Sequence, residues 1–348
     1  MRPDMQPGPG TQRMFSAYSG NKGAMDQPAG MALPPIPASV SAAARQALAR
    51  PVQRRAPLPD ARDVDGWLRH IEVADGAVLA WYRGQESPMN AAADAAVTER
   101  RYAGVRTFVA HDPQLPADAR TPVYLEFHGG AFIYGSGELC RLSTGFTALD
   151  KGMTVWGVDY RMPPLHPFPA AVDDALAVYR ELLRVREPHR IHVGGGSAGG
   201  NLAAALVARA RDEGLPAPAS LVLLTPELDL TGSGDSFGVL AGIGDALSGL
   251  WEISALYADG LDPADPRLSP LFADLAGFPP TFLQSGTRDP LLSDAVRMHR
   301  GLLAAGVQAE LHVFEAMPHG GFGAAPEDLE VRAAVRDFLD RRRCALTE

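Results

Sequence analysis

Cysteine is nearly absent from this 348-residue chain, Cys140 and Cys344 being the only two. That excludes a disulfide framework and a cysteine-based zinc site, and two reduced thiols fit a cytoplasmic location. Lysine is as scarce, with Lys22 and Lys151 alone, so the basic charge is carried by arginine. Positive charge is in deficit overall, the formal net charge being −9. An acidic surface argues against nucleic acid and against anionic membranes as partners. Long apolar runs are missing too. The first 35 residues are rich in Met, Gly, Pro and Gln and hold no apolar core of signal-peptide length. Residues 237–250 are the longest apolar stretch of the middle, but glycines and Asp245 interrupt them and they are too short to span a bilayer. What remains, 46% hydrophobic and 21% charged, suits a soluble globular enzyme with one large core.

Residues 1–36 lack periodicity and carry several prolines, so they read as an arm, either disordered or ordered only against the rest. Met14, Phe15 and Tyr18 are its apolar side chains in an otherwise polar stretch, which suggests an arm that closes over a pocket. Residues 37–94 read as an N-terminal cap segment, with a helix over 39–48 and Trp67, Trp81 and Tyr82 as packing anchors. A different rhythm begins at about 95 and runs to 348. Val97–Tyr102 and Val105–Ala110 alternate like an antiparallel pair, and Val123–Phe127 reads as a buried strand. Strands at 154–159, 191–194, 221–225, 281–285 and 310–314 then alternate with helices at 169–183, 198–211, 293–305 and 326–341. Short apolar strands alternating with long helices imply an α/β fold, a mostly parallel sheet covered on both faces. Residues 231–268 interrupt the alternation and read as an insertion above the sheet's carboxyl edge, completing the cap. Its Phe237, Leu240, Leu247, Leu250, Trp251 and Tyr257 could line an acyl or alcohol pocket, or simply pack.

The most informative segment is Gly195-Gly196-Ser197-Ala198-Gly199, between a strand and a helix. It fits G-x-S-x-G, in which a sharp strand-to-helix turn lifts a serine Oγ above the sheet. Small neighbours are needed because strand and helix pass very close there. Two further residues fall where partners of such a serine belong. Asp289 lies just past the strand at 281–285, and His319 in the loop after the last strand. The order Ser, Asp, His, each after a strand, is the order of the triad on this kind of sheet. His192 and His312 are poorer bases, because alternation places them within strands. His128-Gly129-Gly130-Ala131 follows an apolar strand as an oxyanion loop of the HGGG type does.

These motifs resemble those of the bacterial hormone-sensitive-lipase-like esterases, family IV of the α/β-hydrolases. That family is marked by HGGG, by a GDSAGG-like elbow, by DPL, here Asp289-Pro290-Leu291, and by a terminal HGF, here split as His319-Gly320-Gly321-Phe322. Residues 159–171 are similar to the family's DYRLAPEHPFPAA, and Ser269-Pro270-Leu271-Phe272 is a further match. The likeness covers about residues 100–340. It implies an α/β-hydrolase fold with a helical cap and a carboxylesterase acting on short- to medium-chain acyl esters without metal or organic cofactor. It also implies Ser197 as nucleophile, His319 as general base and Asp289 as its orienter. The oxyanion loop would be Gly129, Gly130 and Ala131, with the amides of Gly130 and Ala131 joined by that of Ala198. Family analogy further suggests a homodimer through an edge strand. Three departures stand out. Ala131 replaces the third glycine, which ordinary dihedrals would allow. Gly196 replaces the Asp or Thr before the nucleophile, loosening the elbow. Leu165 stands where Glu is usual, removing a polar contact. Glu227 and Asp229 are further acids near the site, expected to support it rather than to substitute for Asp289 as the triad acid. The chemistry itself leaves other readings open: a hydrolase of lactones, carbamates or amides, or a non-catalytic ligand-binding member of the fold, which would be expected to lack His319.

Overall fold

Runs of β-branched and aromatic residues bounded by glycine and proline build the centre of the protein, as pleated, doubly covered strands require. The computed structural model describes residues 34–50, 57–84, 92–93, 97–111, 121–240, 247 and 249–344. Its strands are β1 (Val97–Tyr102), β2 (Val105–Ala110), β3 (Val123–Phe127), β4 (Thr154–Val158), β5 (Ile191–Gly196), β6 (Ser220–Leu224), β7 (Thr281–Arg288) and β8 (Ala309–Pro318). Its helices are α1 (Ala42–Leu48), α2 (Val64–Arg83), α3 (Glu138–Lys151), α4 (Ala170–Leu183), α5 (Ala198–Asp212), α6 (Asp235–Leu240), α7 (Leu250–Ala258), α8 (Leu292–Ala304) and α9 (Pro326–Cys344).

The strands form one eight-stranded sheet in the order β1-β2-β4-β3-β5-β6-β7-β8. β2 pairs antiparallel with β1 and β4, and from β4 to β8 all neighbours are parallel. The expected α/β architecture is therefore present. The order matters for function. From β3 the chain turns back through α3 to β4, then jumps across through α4 to β5 on the other side of β3. Loops after β3 and β5 thus leave the sheet in opposite senses and open a crevice at its carboxyl edge, where ligands bind in such sheets.

Apolar side chains of β2 to β7 interlock with α4, α5 and α8, Leu125, Val193, Leu202 and Leu283 being fully buried among them. On the opposite face Phe282, Phe338 and Tyr124 close a second cluster under α9. A third, smaller cluster joins Trp67 of α2, Ile133 of the loop after β3 and Ile253 of α7. Helices α2 and α7 therefore meet over that loop. No helix among the described residues is long and apolar enough to cross a membrane.

Some expectations shift. Of the three aromatic anchors, Trp67 is 1% exposed and donates its indole N–H to Asp60 O at 3.1 Å, and Tyr82 meets Phe146 edge-on. Trp81 is 66% exposed and so is not an anchor among the described residues, although it lies on the same face of α2 as Trp67. The expected helix over 39–48 begins at Ala42, after Ser41 caps it. Helix α3 has no counterpart in the sequence reading. Met14, Phe15 and Tyr18 of the arm lie outside the described residues.

The two tryptophans separate packing from exposure. Trp67→Ala should lower the unfolding free energy by about 3–5 kcal/mol, whereas Trp81→Ala should change it by no more than about 0.5 kcal/mol. Denaturant titration of both variants beside the wild type measures the difference.

Candidate active site

The turn from β5 into α5 is made almost wholly of residues without side chains, and the geometry shows why. A Cβ at Gly195 would lie 2.4 Å from the carbonyl oxygen of Phe127, and one at Gly199 only 2.0 Å from the same atom. Ser197 itself is forced to φ +54° and ψ −123°, a left-handed backbone that costs a non-glycine residue about 1–2 kcal/mol. Its amide donates to Leu224 O at 2.9 Å, so β6 pins the elbow directly. With glycine at 196, this backbone bond holds the apex without any side-chain contact from that position.

Ser197 Oγ stands 3.0 Å from His319 Nε2, and His319 Nδ1 stands 3.0 Å from Asp289 Oδ1. Asp289 is fully buried, its Oδ2 accepting from Ser285 Oγ at 2.8 Å and its Oδ1 from the Leu291 amide at 3.0 Å. An ionised carboxylate only accepts, so Nδ1 of His319 carries the hydrogen and Nε2 is left with its lone pair towards Ser197. The three residues that the sequence put in order along the chain are thus in one hydrogen-bonded line. His192 lies fully buried in β5 against Ser220 Oγ, and burial pushes its imidazole down to about 3. His312 stays in β8, stacked on Phe282.

Beside Ser197 runs the loop after β3. Gly130 is at φ +113°, and a Cβ there would strike Tyr134 O at 2.3 Å. Ala131 and Phe132 follow at φ +50° and +64°. Ala131 therefore lacks the ordinary dihedrals that would let it replace the third glycine without strain. Tight packing of Phe132 face to face on Tyr257, at 3.9 Å between centroids, holds this strained turn in place. Among the described residues, no acceptor takes the amide hydrogens of Gly130, Ala131 or Ala198. Gly129 lets Gly196 approach, since a Cβ on it would come 3.0 Å from Gly196 O.

The loop is braced from behind. Tyr160 donates to His128 O at 2.8 Å and stacks on the His128 ring at 4.2 Å. Asp159 accepts from the Gly137 amide at 3.0 Å and pairs with Arg106. Asp75 of α2 accepts from the Gly135 amide at 3.1 Å, and His70 bonds the Tyr134 hydroxyl at 2.8 Å. Arg161 clasps Asp174 through two nitrogens, while Leu165, 59% exposed, makes no such bond. His128, Cys140 and Asp159 bring possible ligand atoms within 4.8 Å of one another. With Asp159 already shared by Arg106 and Gly137, and Arg106 adding positive charge, that set suits a brace better than a cation. A cavity of about 700 Å³ lies behind this loop, between Leu68 and Ile71 of α2, Ile133, Tyr160 and Leu165, rather than over Ser197.

The family model for the alpha/beta hydrolase fold matches residues 124–323. The chain belongs to the α/β-hydrolase family. Among its relatives is an acetyl-hydrolase of Streptomyces hygroscopicus, 37% identical over 209 residues, covering 58% of this chain and 68% of that one. The carboxylic ester hydrolase LipN of Mycobacterium tuberculosis is 36% identical over 247 residues, covering 64% of each. The solved esterase E25 superposes with a TM-score of 0.77 at 32% identity, over 89% of this hydrolase and 97% of that chain. An esterase from the bacterial hormone-sensitive lipase family gives 0.69 at 30% identity, over 97% and 100%. Within the α/β-hydrolases, this chain is therefore a hormone-sensitive-lipase-like member.

The hydrolase also buries acids that sequence reasoning left without definite partners. Asp229 is opposed by burial, but bonds from Ser233, Thr231 and Arg297 outweigh it and hold the carboxyl below its ordinary range. Asp294 accepts the Leu228 and Asp229 amides at 2.8 and 3.0 Å through one oxygen, and burial pushes it up to about 8. Burial likewise pushes Glu227 up to about 7, against a bond from Ser254 and the charge of His319.

The two raised acids set a pH dependence. Their folded values exceed the unfolded ones near 4, so the stability they confer is complete below that pH. It is lost as pH rises through about 7 and about 8. Thermal midpoints should therefore fall from mildly acidic to alkaline pH. Asp294→Asn, whose amide oxygen can accept both N–H groups, should flatten the upper part of that fall in a melting series.

Proposed function

We propose that this hydrolase is a serine carboxylesterase for short- to medium-chain acyl esters, working through an acyl-enzyme with Ser197, His319 and Asp289. The observation that carries the reading is the unbroken line from Ser197 Oγ through both ring nitrogens of His319 to the buried Asp289, at 3.0 Å per step. His319 Nε2 takes the hydroxyl proton as Oγ adds to the ester carbonyl carbon. Asp289 fixes the tautomer and stabilises the imidazolium without accepting its proton. Collapse of the tetrahedral intermediate breaks the carbon–oxygen bond to the alcohol, which leaves with the proton from Nε2. Water then adds to the acyl-enzyme with the same base, releasing the acid and restoring the Ser197 hydroxyl.

The carbonyl oxygen becomes anionic in each addition step. The uncommitted amides of Gly130, Ala131 and Ala198 are the donors we assign to it, with Gly129 giving the loop its closeness to the elbow. Ala198 opens α5, so the positive end of the helix dipole adds to them. Removing one such donor typically costs about 3–4 kcal/mol of transition-state stabilisation. The name of the Streptomyces relative, an acetyl-hydrolase, supports a small acyl group. We assign residues 37–94 and 231–268 to a cap over the catalytic body, on the strength of the Trp67–Ile133–Ile253 cluster.

Release of p-nitrophenol from acetyl, butyryl, octanoyl and dodecanoyl esters tests the reading. Activity should peak at acetyl or butyryl, and Ser197→Ala should lower kcat/KM by about a thousandfold or more. A Ser197→Ala variant as active as the wild type would refute the nucleophile, and a peak at dodecanoyl would refute the acyl preference.

A further inference from the structure

The hydrolysis proposed above uses one carboxylate, yet a second is buried beside the nucleophile. Glu227 follows β6 and is 1% exposed. Its amide donates to Ser197 O at 3.3 Å, and Asn201, in the first turn of α5, donates to its carbonyl at 2.9 Å. The residue is thus tied by its backbone to both the nucleophile and the helix that follows it. Of its two carboxylate oxygens, Oε1 accepts from Ser254 Oγ at 3.0 Å and Oε2 has no partner among the described residues. A buried carboxylate oxygen left unpaired is costly, and a purely structural role does not account for it.

The titratable groups that feel Glu227 are His319 after β8, Tyr160 after β4, Tyr257 on α7 and Asp294 on α8. Burial keeps both tyrosines neutral, and it pushes Asp294 up to about 8. Among the described residues, His319 is therefore the partner whose charge changes during the reaction. Position 196, where a carboxylate would stand directly before the nucleophile, is glycine.

We propose that Glu227 is a positioning residue for this hydrolysis, its carboxylate acting within electrostatic reach of His319 to stabilise the positive charge the imidazole acquires when it takes the Ser197 proton. Asp289 holds the ring by a hydrogen bond, and Glu227 acts on it by charge alone. The inference rests on the Ser197–His319 reading. Protonation of Glu227 removes the effect, so activity gains a second ionisation in addition to that of His319.

The test compares kcat and kcat/KM for p-nitrophenyl butyrate across pH in the wild type, Ser197→Ala, Glu227→Gln and Glu227→Asp. Glu227→Gln should lower kcat roughly tenfold, leave KM within about twofold, and reduce the acid limb to a single ionisation about one pH unit lower. The direction follows from sign: without the negative charge the imidazolium is less stable. Glu227→Asp should restore the two-step limb. An acid limb in Glu227→Gln identical to the wild type would overturn the proposal, whatever the change in kcat or melting temperature. Should Glu227→Gln fail to fold, Ser254→Ala serves instead. Loss of its bond keeps Glu227 protonated to higher pH and should move the second step upward, and an unmoved limb would again overturn the proposal. Activity persisting in Ser197→Ala would sink the hydrolysis reading itself, a result distinct from either.

Discussion

At the carboxyl edge of the sheet, backbone touches backbone. Strand β3, the end of β5 and the first turn of α5 converge so closely that Cβ atoms at Gly195 and Gly199 would fall 2.4 and 2.0 Å from the carbonyl oxygen of Phe127. Everything at the site follows from that approach. It sets Ser197 at the apex of a turn and brings the Gly129–Ala131 loop alongside it. The amides of Gly130, Ala131 and Ala198 have no acceptor among the described residues. Side chains of ordinary size would separate the two loops and disperse those amides.

Bringing them together is unfavourable locally. Ala131, Phe132, Ser197, Thr225 and Ala316 all adopt left-handed backbone at or near the carboxyl ends of β3, β5, β6 and β8. At about 1–2 kcal/mol each, such strain persists only where surroundings over-determine the conformation. Here they do. The Tyr160–His128 stack and the Asp159 and Asp75 bonds to loop amides hold the turn with Ala131 and Phe132. The Ser197 amide is held on β6, and the Thr225 and Ala316 amides donate to Gln284 O and Thr287 Oγ1, each at 2.7 Å. Buried acids add a second local cost, since Glu227 and Asp294 are raised to about 7 and about 8 by the loss of water. Strain and desolvation are concentrated at one edge of the sheet, while the apolar clusters that offset them lie across its two faces.

The sequence made this edge easier to read than the rest. Glycine and serine at a strand-to-helix turn have a steric reason to be there, and that reason is visible in the letters. The order Ser197, Asp289, His319 needed only the β/α alternation to locate each residue past a strand. Helix α3 was illegible for an equally physical reason. It carries Ser143, Thr144, Gly145 and Thr147 in its middle, poor helix formers in isolation. Gly145 is required by tertiary contact, because a Cβ there would lie 2.2 Å from Ala93 O. Helix α2 was legible in principle, since Trp67, Ile71, Ala74, Val78 and Trp81 recur at helical spacing along one face, but only Trp67 of them is fully buried. The partners of Glu227, Asp229 and Asp294 could not be read at all. They are long-range contacts, such as Asp229 with Arg297, for which no spacing rule exists.

Helix α2 is tied to the loop after β3 at two points, Asp75 to the Gly135 amide and His70 to the Tyr134 hydroxyl. Whatever presses on that helix therefore presses on the turn that carries Ala131. Under the hydrolysis proposed here, a part of the substrate that presses on α2, far from the reacting carbonyl, would be felt in the turnover step and not only in how tightly the substrate is held. Selection among molecules would then be written in kcat as much as in KM.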